Sequence, residues 1–331
     1  MTAGSRQAPR WGLTVPLPGI RLDAHRQLYA ALPGWGYTDV WSSEVNGADA
    51  FTPLALAAAW QPELTLGTAI VPAFTRGPTV IAQSAASMAS ASGGRFVLGL
   101  GASSPAIVGQ WNGMSFDQPY RKTRDMLRFV KAALGGEKVV AEYDTFAVNG
   151  FRLEVEYPGA IPVLLAALRP QMLALAGREA DGAILNWLAP ADVPRCVEAI
   201  GNPDALVVAR IFVCPTADAE FARAAARRMI AGYLTVPAYA EFHRWLGRAA
   251  SLESLWTLWE KGERAAAAAS IPDEVVDALV IHGDARHCRA QVQAYVDAGV
   301  DVPVLAVQPT PELTDLDSWA GAVEGLGPAR R

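Results

Sequence analysis

Short apolar, β-prone runs alternate with stretches of helical period along almost the whole chain, and this alternation restricts the fold to a sheet of parallel strands joined by helices. Residues 11–16 form the first run, followed by Leu22, Leu28, Tyr29 and Leu32 at helical spacing before Gly34 and Gly36. Further strands are expected over 38–42, 64–71, 95–101, 161–166, 182–186, 206–213 and 302–307. Between them fall a helix over 52–60 and one opening at Gly77-Pro78 with Ile81, Ala85 and Met88 as its buried stripe. Others carry Met126, Val130 and Leu134 on one face, span 170–180, start at Pro190, or carry Cys288, Val292 and Tyr295 over 284–298. Eight such strands imply an α/β fold, a closed (β/α)₈ TIM barrel, and a barrel of about 250 residues with insertions absorbs the 331 residues present.

Two segments fall outside the alternation. Residues 138–158, with a breaking Asn149-Gly150, read as a hairpin on the barrel rim. Residues 216–271 are too long for one barrel helix and imply a helix to about Ile230, then a second carrying Trp245, Ala249, Leu252, Trp256 and Trp259. The expected organisation is a flexible tail over 1–10 and one barrel domain over 11–331, with a helical insertion over approximately 231–275.

Composition removes several function classes. Twenty-eight basic and 33 acidic residues leave a formal charge of −5, and no basic stretch interleaved with aromatics points to nucleic acid. No apolar run approaches the ~20 residues of a membrane span, and the polar start lacks the apolar segment of an export signal, so the expected location is the cytoplasm. Cys196, Cys214 and Cys288 are too widely spaced for a redox CxxC motif. His25, His243, His282 and His287 lack ligands at metal-motif spacing, so no metal is expected.

One motif tempts a nucleotide reading. Gly99-x-Gly101-x-x-Ser104 follows a strand but lacks a third glycine and leads into the long loop 102–118 instead of a helix. Gly99 and Gly101 are better explained by crowding at a strand end, where backbone must pass close to a neighbour or ligand.

The run from Leu66 through Gly67-Thr68-Ala69-Ile70-Val71-Pro72 to Gly77-Pro78, then Ile81-Ala82-Gln83, then Ser92-Gly93-Gly94-Arg95 through Gly101, resembles the luciferase-like monooxygenases. It is most similar to their branch using coenzyme F420, a deazaflavin. Gly36-Tyr37-Thr38-Asp39-Val40-Trp41 with Glu44, Ala166 to Pro170, and Ala180-Asp181-Gly182-Ala183-Ile184 extend the likeness, which runs from about Trp11 to Ala199 and returns over 283–307.

The resemblance implies a cofactor across the C-terminal mouth of the barrel and a non-prolyl cis peptide at Ala69-Ile70 against its ring. Gly101, Ser103 and Ser104 would border the ring. Ala167, Leu168, Arg169 and Pro170 would hold the tail phosphate at a helix N-terminus. Arg169 stands where relatives often have glycine, and either bonds the phosphate or points to solvent. Glu44 matches an acidic residue near the ring, whereas Val45 occupies the position of a catalytic histidine in some deazaflavin enzymes.

Trp111, Asn112, Asn186 and Trp187 are expected as substrate walls, and His243 either as a lid acid or base or as a solvated helix residue. The implied activity is hydride transfer between F420 and a small organic substrate by a homodimer. The alternatives are a reduced-FMN monooxygenase and a catalytically silent flavin-binding protein.

Overall fold

The computed structural model describes residues 10–328, so the expected tail lies outside the described residues apart from Arg10, whose Nε donates to the buried Asp39 carboxylate at 3.1 Å. The strands are β1 (Gly12–Thr14), β2 (Asp39–Ser42), β3 (Thr65–Thr68), β4 (Val71–Pro72), β5 (Phe96–Gly101), β6 (Val139–Glu142), β7 (Ala147–Phe151), β8 (Val163–Ala166), β9 (Gly182–Asn186), β10 (Leu206–Cys214), β11 (Val280–His282) and β12 (Val302–Val307). Eight of them close a ring in the order β1-β2-β3-β5-β8-β9-β10-β12, every pair parallel, with β12 returning to β1. This is the (β/α)₈ barrel expected from the alternation.

β11 was not foreseen, because its three residues follow the helix Asp273–Leu279 without a turn to announce them. It exists because β10 is nine residues long. Leu206–Arg210 pair with β9, and once β9 has ended β11 takes its place beside Phe212–Cys214.

Side chains alternate across the barrel wall. Leu66, Leu98, Leu165 and Leu185 face outward, in one core with Ile81, Ala85 and Met88 and with Met126 and Val130 of the covering helices. Trp41, Val97, Leu164, Ile184, Val208, Val302 and Val304 face inward and fill the lumen. Trp41 reaches across its neighbours: a Cβ on Gly12 would lie 2.9 Å from the indole and one on Gly67 only 2.3 Å from it. Both strands beside β2 therefore need glycine next to Trp41.

Between β3 and β5 the ladder is interrupted. Gly67 pairs with Val97 and Val71 with Leu100, so β3–β4 carries one residue more than β5 over this stretch, a bulge. The Thr68 side chain replaces the missing ladder bonds, its Oγ1 donating to Gly99 O at 3.0 Å and accepting from Gly99 N at 2.8 Å. A Cβ at Gly99 would fall 1.9 Å from Thr68 O.

The rim hairpin is β6–β7, with its turn over 143–146. Asn149-Gly150 is a bulge within β7, where Val140 pairs with Asn149 and Val139 with Phe151, leaving Gly150 unpaired at φ +85°. The insertion also differs from expectation. The helix Ala219–Leu234 is followed by Pro237–Trp245 and Ala249–Glu260, broken at Gly247 with φ +91°, so Trp245 and Trp256 lie on different helices. Leu252, Leu255 and Trp256 pack with Ile230, Leu234 and Trp187 in a satellite core. A last helix, Leu316–Leu326, also unforeseen, buries Trp319, Val323 and Leu326. Among the described residues no helix is long and apolar enough to cross a membrane.

Because the contact at Gly99 is backbone against backbone, neither side can swing away. Gly99→Ala is expected to destabilise the fold by about 1–3 kcal/mol or more, the usual range for overpacking. Denaturant unfolding would show this as a lowered midpoint; an unchanged midpoint would mean the bulge can widen.

Candidate active site at the barrel mouth

The C-terminal ends of β3, β5 and β8 converge on one patch of bare backbone. A Cβ on Gly101 would stand 3.0 Å from both Ala166 Cβ and Ile70 Cγ1, and the Ala69-Ile70 peptide is cis, as the resemblance implies. Ala69 N donates to Ser42 O at 2.6 Å and Glu44 N to Ile70 O at 3.2 Å, so the segment after β2 is tied to the bulge. The Glu44 carboxylate is partly buried and already engaged: Arg76 Nε lies 3.2 and 3.1 Å from its oxygens, Arg76 Nη2 at 3.0 Å, and Ala50 N donates to it at 3.3 Å. Glu44 borders the site as one half of an ion pair.

Ser103 takes a left-handed backbone at φ +66° directly after β5. Ser104 starts a π-helical turn, Ala106–Trp111, its carbonyl accepting from Val108 N at 2.9 Å and its Oγ from Ile107 N at 3.3 Å. Trp111 is 56% exposed, and Asn112 Nδ2 donates to Ile107 O at 2.7 Å. Neither residue lines a closed wall in this structure.

At the end of β8, Ala167 N donates to Ile184 O at 3.1 Å, and Arg169 O accepts from Met172 N and Leu173 N at 3.0 and 2.9 Å as the helix Pro170–Glu179 begins. The N–H groups of Leu168, Arg169 and Gln171 have no acceptor among the described residues, and Pro170 has none to offer. The exposed Arg169 side chain likewise makes no hydrogen bond or ion pair there. Free N–H groups at a helix start, where the peptide dipoles leave positive potential, are suited to an anion.

Across the mouth, β9 ends in Asn186, and Trp187 follows it. Trp187 is buried, left-handed at φ +54°, stacked on Phe212 at 4.0 Å and in contact with Tyr233. Asn186 Nδ2 donates to Tyr239 Oη at 3.1 Å. Beside Asn186 in register stands Arg210, which the sequence reading missed. Buried polar atoms without a partner include Thr14 Oγ1, Trp41 Nε1, Asn186 Oδ1 and Arg210 Nε, all on lumen-facing positions. Native interiors rarely leave such groups unpaired without a ligand or water to meet them. A mostly apolar cavity of about 330 Å³, lined among others by Phe221, Ala226, Met229 and Val280, contains none of these atoms and is not the candidate site.

His243 is not the solvated residue expected from its helix. It is fully buried, with neither ring nitrogen at hydrogen-bonding geometry to a partner. Burial, with the nearby Arg248 cation, pushes its imidazole down to about 3. His25 is also buried, accepting from Leu17 N at 2.9 Å, and belongs to the core. All three cysteines are buried and free, with burial pushing Cys214 up to about 11 and the other two to about 12. Among the described residues no group of His, Cys, Asp or Glu could hold a metal ion.

A parallel eightfold barrel with a bulged third strand, a crowded strand-end glycine and an open helix N-terminus beside it makes the C-terminal mouth the candidate site of a barrel enzyme. The chain belongs to the luciferase-like monooxygenase family, whose profile matches residues 4–302 and runs through the helical insertion as well. It is 30% identical to a Mycobacterium tuberculosis protein provisionally described as a coenzyme F420-dependent oxidoreductase, over 96% of this chain and 99% of that one. The fold is similar to the coenzyme F420-dependent tetrahydromethanopterin reductase of Methanopyrus kandleri, with TM-score 0.78, 20% identity and 97% and 99% of the two chains covered. It is also similar to the FMN-bound oxygenating constituent of 3,6-diketocamphane monooxygenase from Pseudomonas putida, with TM-score 0.65, 16% identity and 97% of each chain covered.

The buried His243 sets a pH dependence. The unfolded imidazole takes a proton near 6.5 but the folded one only near 3, so between these values the unfolded state carries the extra proton. Stability therefore falls as pH drops from 6.5 towards 3. His25, also lowered by burial, adds in the same direction. His243→Phe should flatten that fall in a series of unfolding curves; parallel curves for the two proteins would show that His243 keeps its proton in the fold.

Proposed function

We propose that this enzyme passes a hydride between bound coenzyme F420 and a small organic substrate. The observation that carries the reading is the open anion cradle at Leu168, Arg169 and Gln171, directly beside the bare patch formed by Ile70, Gly101 and Ala166. A cofactor with a phosphate-bearing tail and a flat ring needs these two features side by side. When bound, the deazaflavin supplies the carbon that gives or takes the hydride.

The residues of this chain bind and orient. The free N–H groups at 168, 169 and 171 would hold the phosphate, with the Arg169 guanidinium adding a charge-assisted bond. The cis Ala69-Ile70 segment, Gly101 and Ser103 would border the ring, with Gly101 packed so closely against Ile70 and Ala166 that no side chain fits there. Arg76 and Ala50 hold the Glu44 carboxylate on the β2 side, which suits it to fixing the bulge more than to giving up a proton. Asn186 and Trp187 would form the substrate wall, and the buried His243 would support that wall from behind.

A reduced-FMN monooxygenase is the second reading, favoured by the similarity to the FMN-bound Pseudomonas fold. Reduced FMN activates oxygen, whereas the deazaflavin, with carbon in place of the ring nitrogen at position five, passes a hydride without readily doing so.

Fluorescence titration with each cofactor separates the two. The expected result is F420 binding at micromolar affinity or tighter, about −8 kcal/mol, with little oxygen uptake by the reduced complex. Arg169→Ala should weaken that binding by about 1–3 kcal/mol at low ionic strength, and by less as salt screens the exposed charge. Tight FMN binding without F420 binding would replace the hydride-transfer reading by the monooxygenase.

A further inference from the structure

We propose that Arg210, with Asn186 beside it, is a subsite for the carboxylate of an anionic substrate. The proposal rests on the hydride-transfer reading for its place across the mouth from the cofactor, while the subsite itself is a property of this chain's lumen.

Arg210 faces the barrel interior, two positions beyond the fully buried Val208 and two before the buried Phe212. On its two sides in register are Asn186 of β9 and Val304 of β12. Its Nε is buried without a partner, and its guanidinium carbon lies 5.0 Å from the centre of the Phe212 ring. No carboxylate pairs with it among the described residues. Other half-buried arginines do have an acceptor: Arg76 pairs with Glu44, Arg124 with Asp125 and Arg248 with Asp192, while Arg95 and Arg289 donate to the backbone carbonyls of Leu64 and Gly325.

Arg210 is half-buried, so its guanidinium keeps part of its hydration, but the buried Nε has lost water without gaining an acceptor and recovers little from an aromatic face. An incoming carboxylate restores the balance, because a planar guanidinium can meet both of its oxygens at once.

Asn186 fits the same ligand. Its amide contacts Tyr239 Oη at 3.1 Å and leaves its other end, Oδ1, buried and unpaired. The two ends of an amide have nearly the same shape. Turned over, Asn186 accepts from the Tyr239 hydroxyl at the same place and presents an N–H beside Arg210. Tyr239 can make that donation because burial pushes its phenol up to about 12, so it keeps its proton. The wall around the pair is aromatic, with Phe212 stacked on Trp187 and Tyr233 edge-on to Tyr239. The subsite therefore combines one permanent cation and one amide with apolar surroundings, which suits a small organic monocarboxylate.

The test uses benzoate and its neutral isostere benzamide as probes, followed by tryptophan fluorescence on the whole chain with and without F420. Wild type should bind benzoate about tenfold or more tighter than benzamide, the scale of one hydrogen-bonded charge. Arg210→Gln should remove the preference, Arg210→Lys should keep part of it, and F420 affinity should stay unchanged in both. Should Arg210→Gln not fold, Arg210→Lys and Asn186→Leu still report, each with a reduced preference.

Equal binding of the probes, no binding of either, or a preference that survives Arg210→Gln would overturn the subsite. So would a loss of F420 affinity in Arg210→Gln, which would assign the cation to the cofactor. A preference for benzoate in a wild type that binds no F420 would support the subsite and remove only the deazaflavin reading.

Discussion

The site depends on the approach of β3 to β5, where Thr68 Oγ1 both donates to and accepts from the Gly99 backbone at 3.0 and 2.8 Å. One side chain stands in for the ladder bonds that the bulge removes, so the strand can leave register without stranding buried backbone. The bulge turns Ala69-Ile70 toward the lumen end, and Gly101 must then stay bare because Ile70 and Ala166 already crowd it. On the other side the same bulge accepts Glu44 N at Ile70 O, and Arg76 neutralises the carboxylate that follows. A single local irregularity thus fixes the floor of the candidate site, its acidic border and the need for two glycines.

The electrostatics of the mouth are uneven in a way that fits a binding site. On the β2–β3 side charge is cancelled within the protein, Glu44 against Arg76. At the start of the helix Pro170–Glu179, and at Arg210, positive potential is left open. These two places lie on either side of β9, so roughly two strand spacings, or about 10 Å, separate them. An extended tail phosphate and a separate small anion could each be met without competing. Water can satisfy the N–H groups at the helix start, which are exposed, but the buried Arg210 Nε and Asn186 Oδ1 cost stability until something meets them.

Much of this was legible in the sequence because it follows from periodicity. The barrel strands, the buried stripe Ile81–Ala85–Met88 and the crowding at Gly99 and Gly101 are consequences of residue type and spacing. Other features were hidden for definite reasons. Arg210 sits inside the apolar run Leu206–Cys214, where only the pairing of β10 with β9 reveals that it faces the lumen next to Asn186. The burial of His243 depends on how the helix Pro237–Trp245 docks, and that helix exists as a separate unit only because Gly247 breaks the longer one expected. Asn149-Gly150 looks like a turn, but pairing on both sides makes it a bulge.

The helical insertion shows how packing outside the barrel reaches the site. Trp256 Nε1 donates to Leu234 O at 2.9 Å, which joins the helices Ala249–Glu260 and Ala219–Leu234. The core they share contains Trp187 and Phe212, the ring pair beneath Arg210. Arg248 Nη2 bonds Asp192 at 2.8 Å, and Asp192 in turn accepts from Ala189 N at 2.7 Å, fixing the chain just beyond Trp187. The left-handed backbone at Trp187 is therefore held from both directions, by aromatic stacking within the satellite core and by an ion pair from the insertion. Residues of the insertion thus set the backbone geometry at Trp187, next to Asn186 and Arg210, while leaving the β3–β5–β8 patch intact.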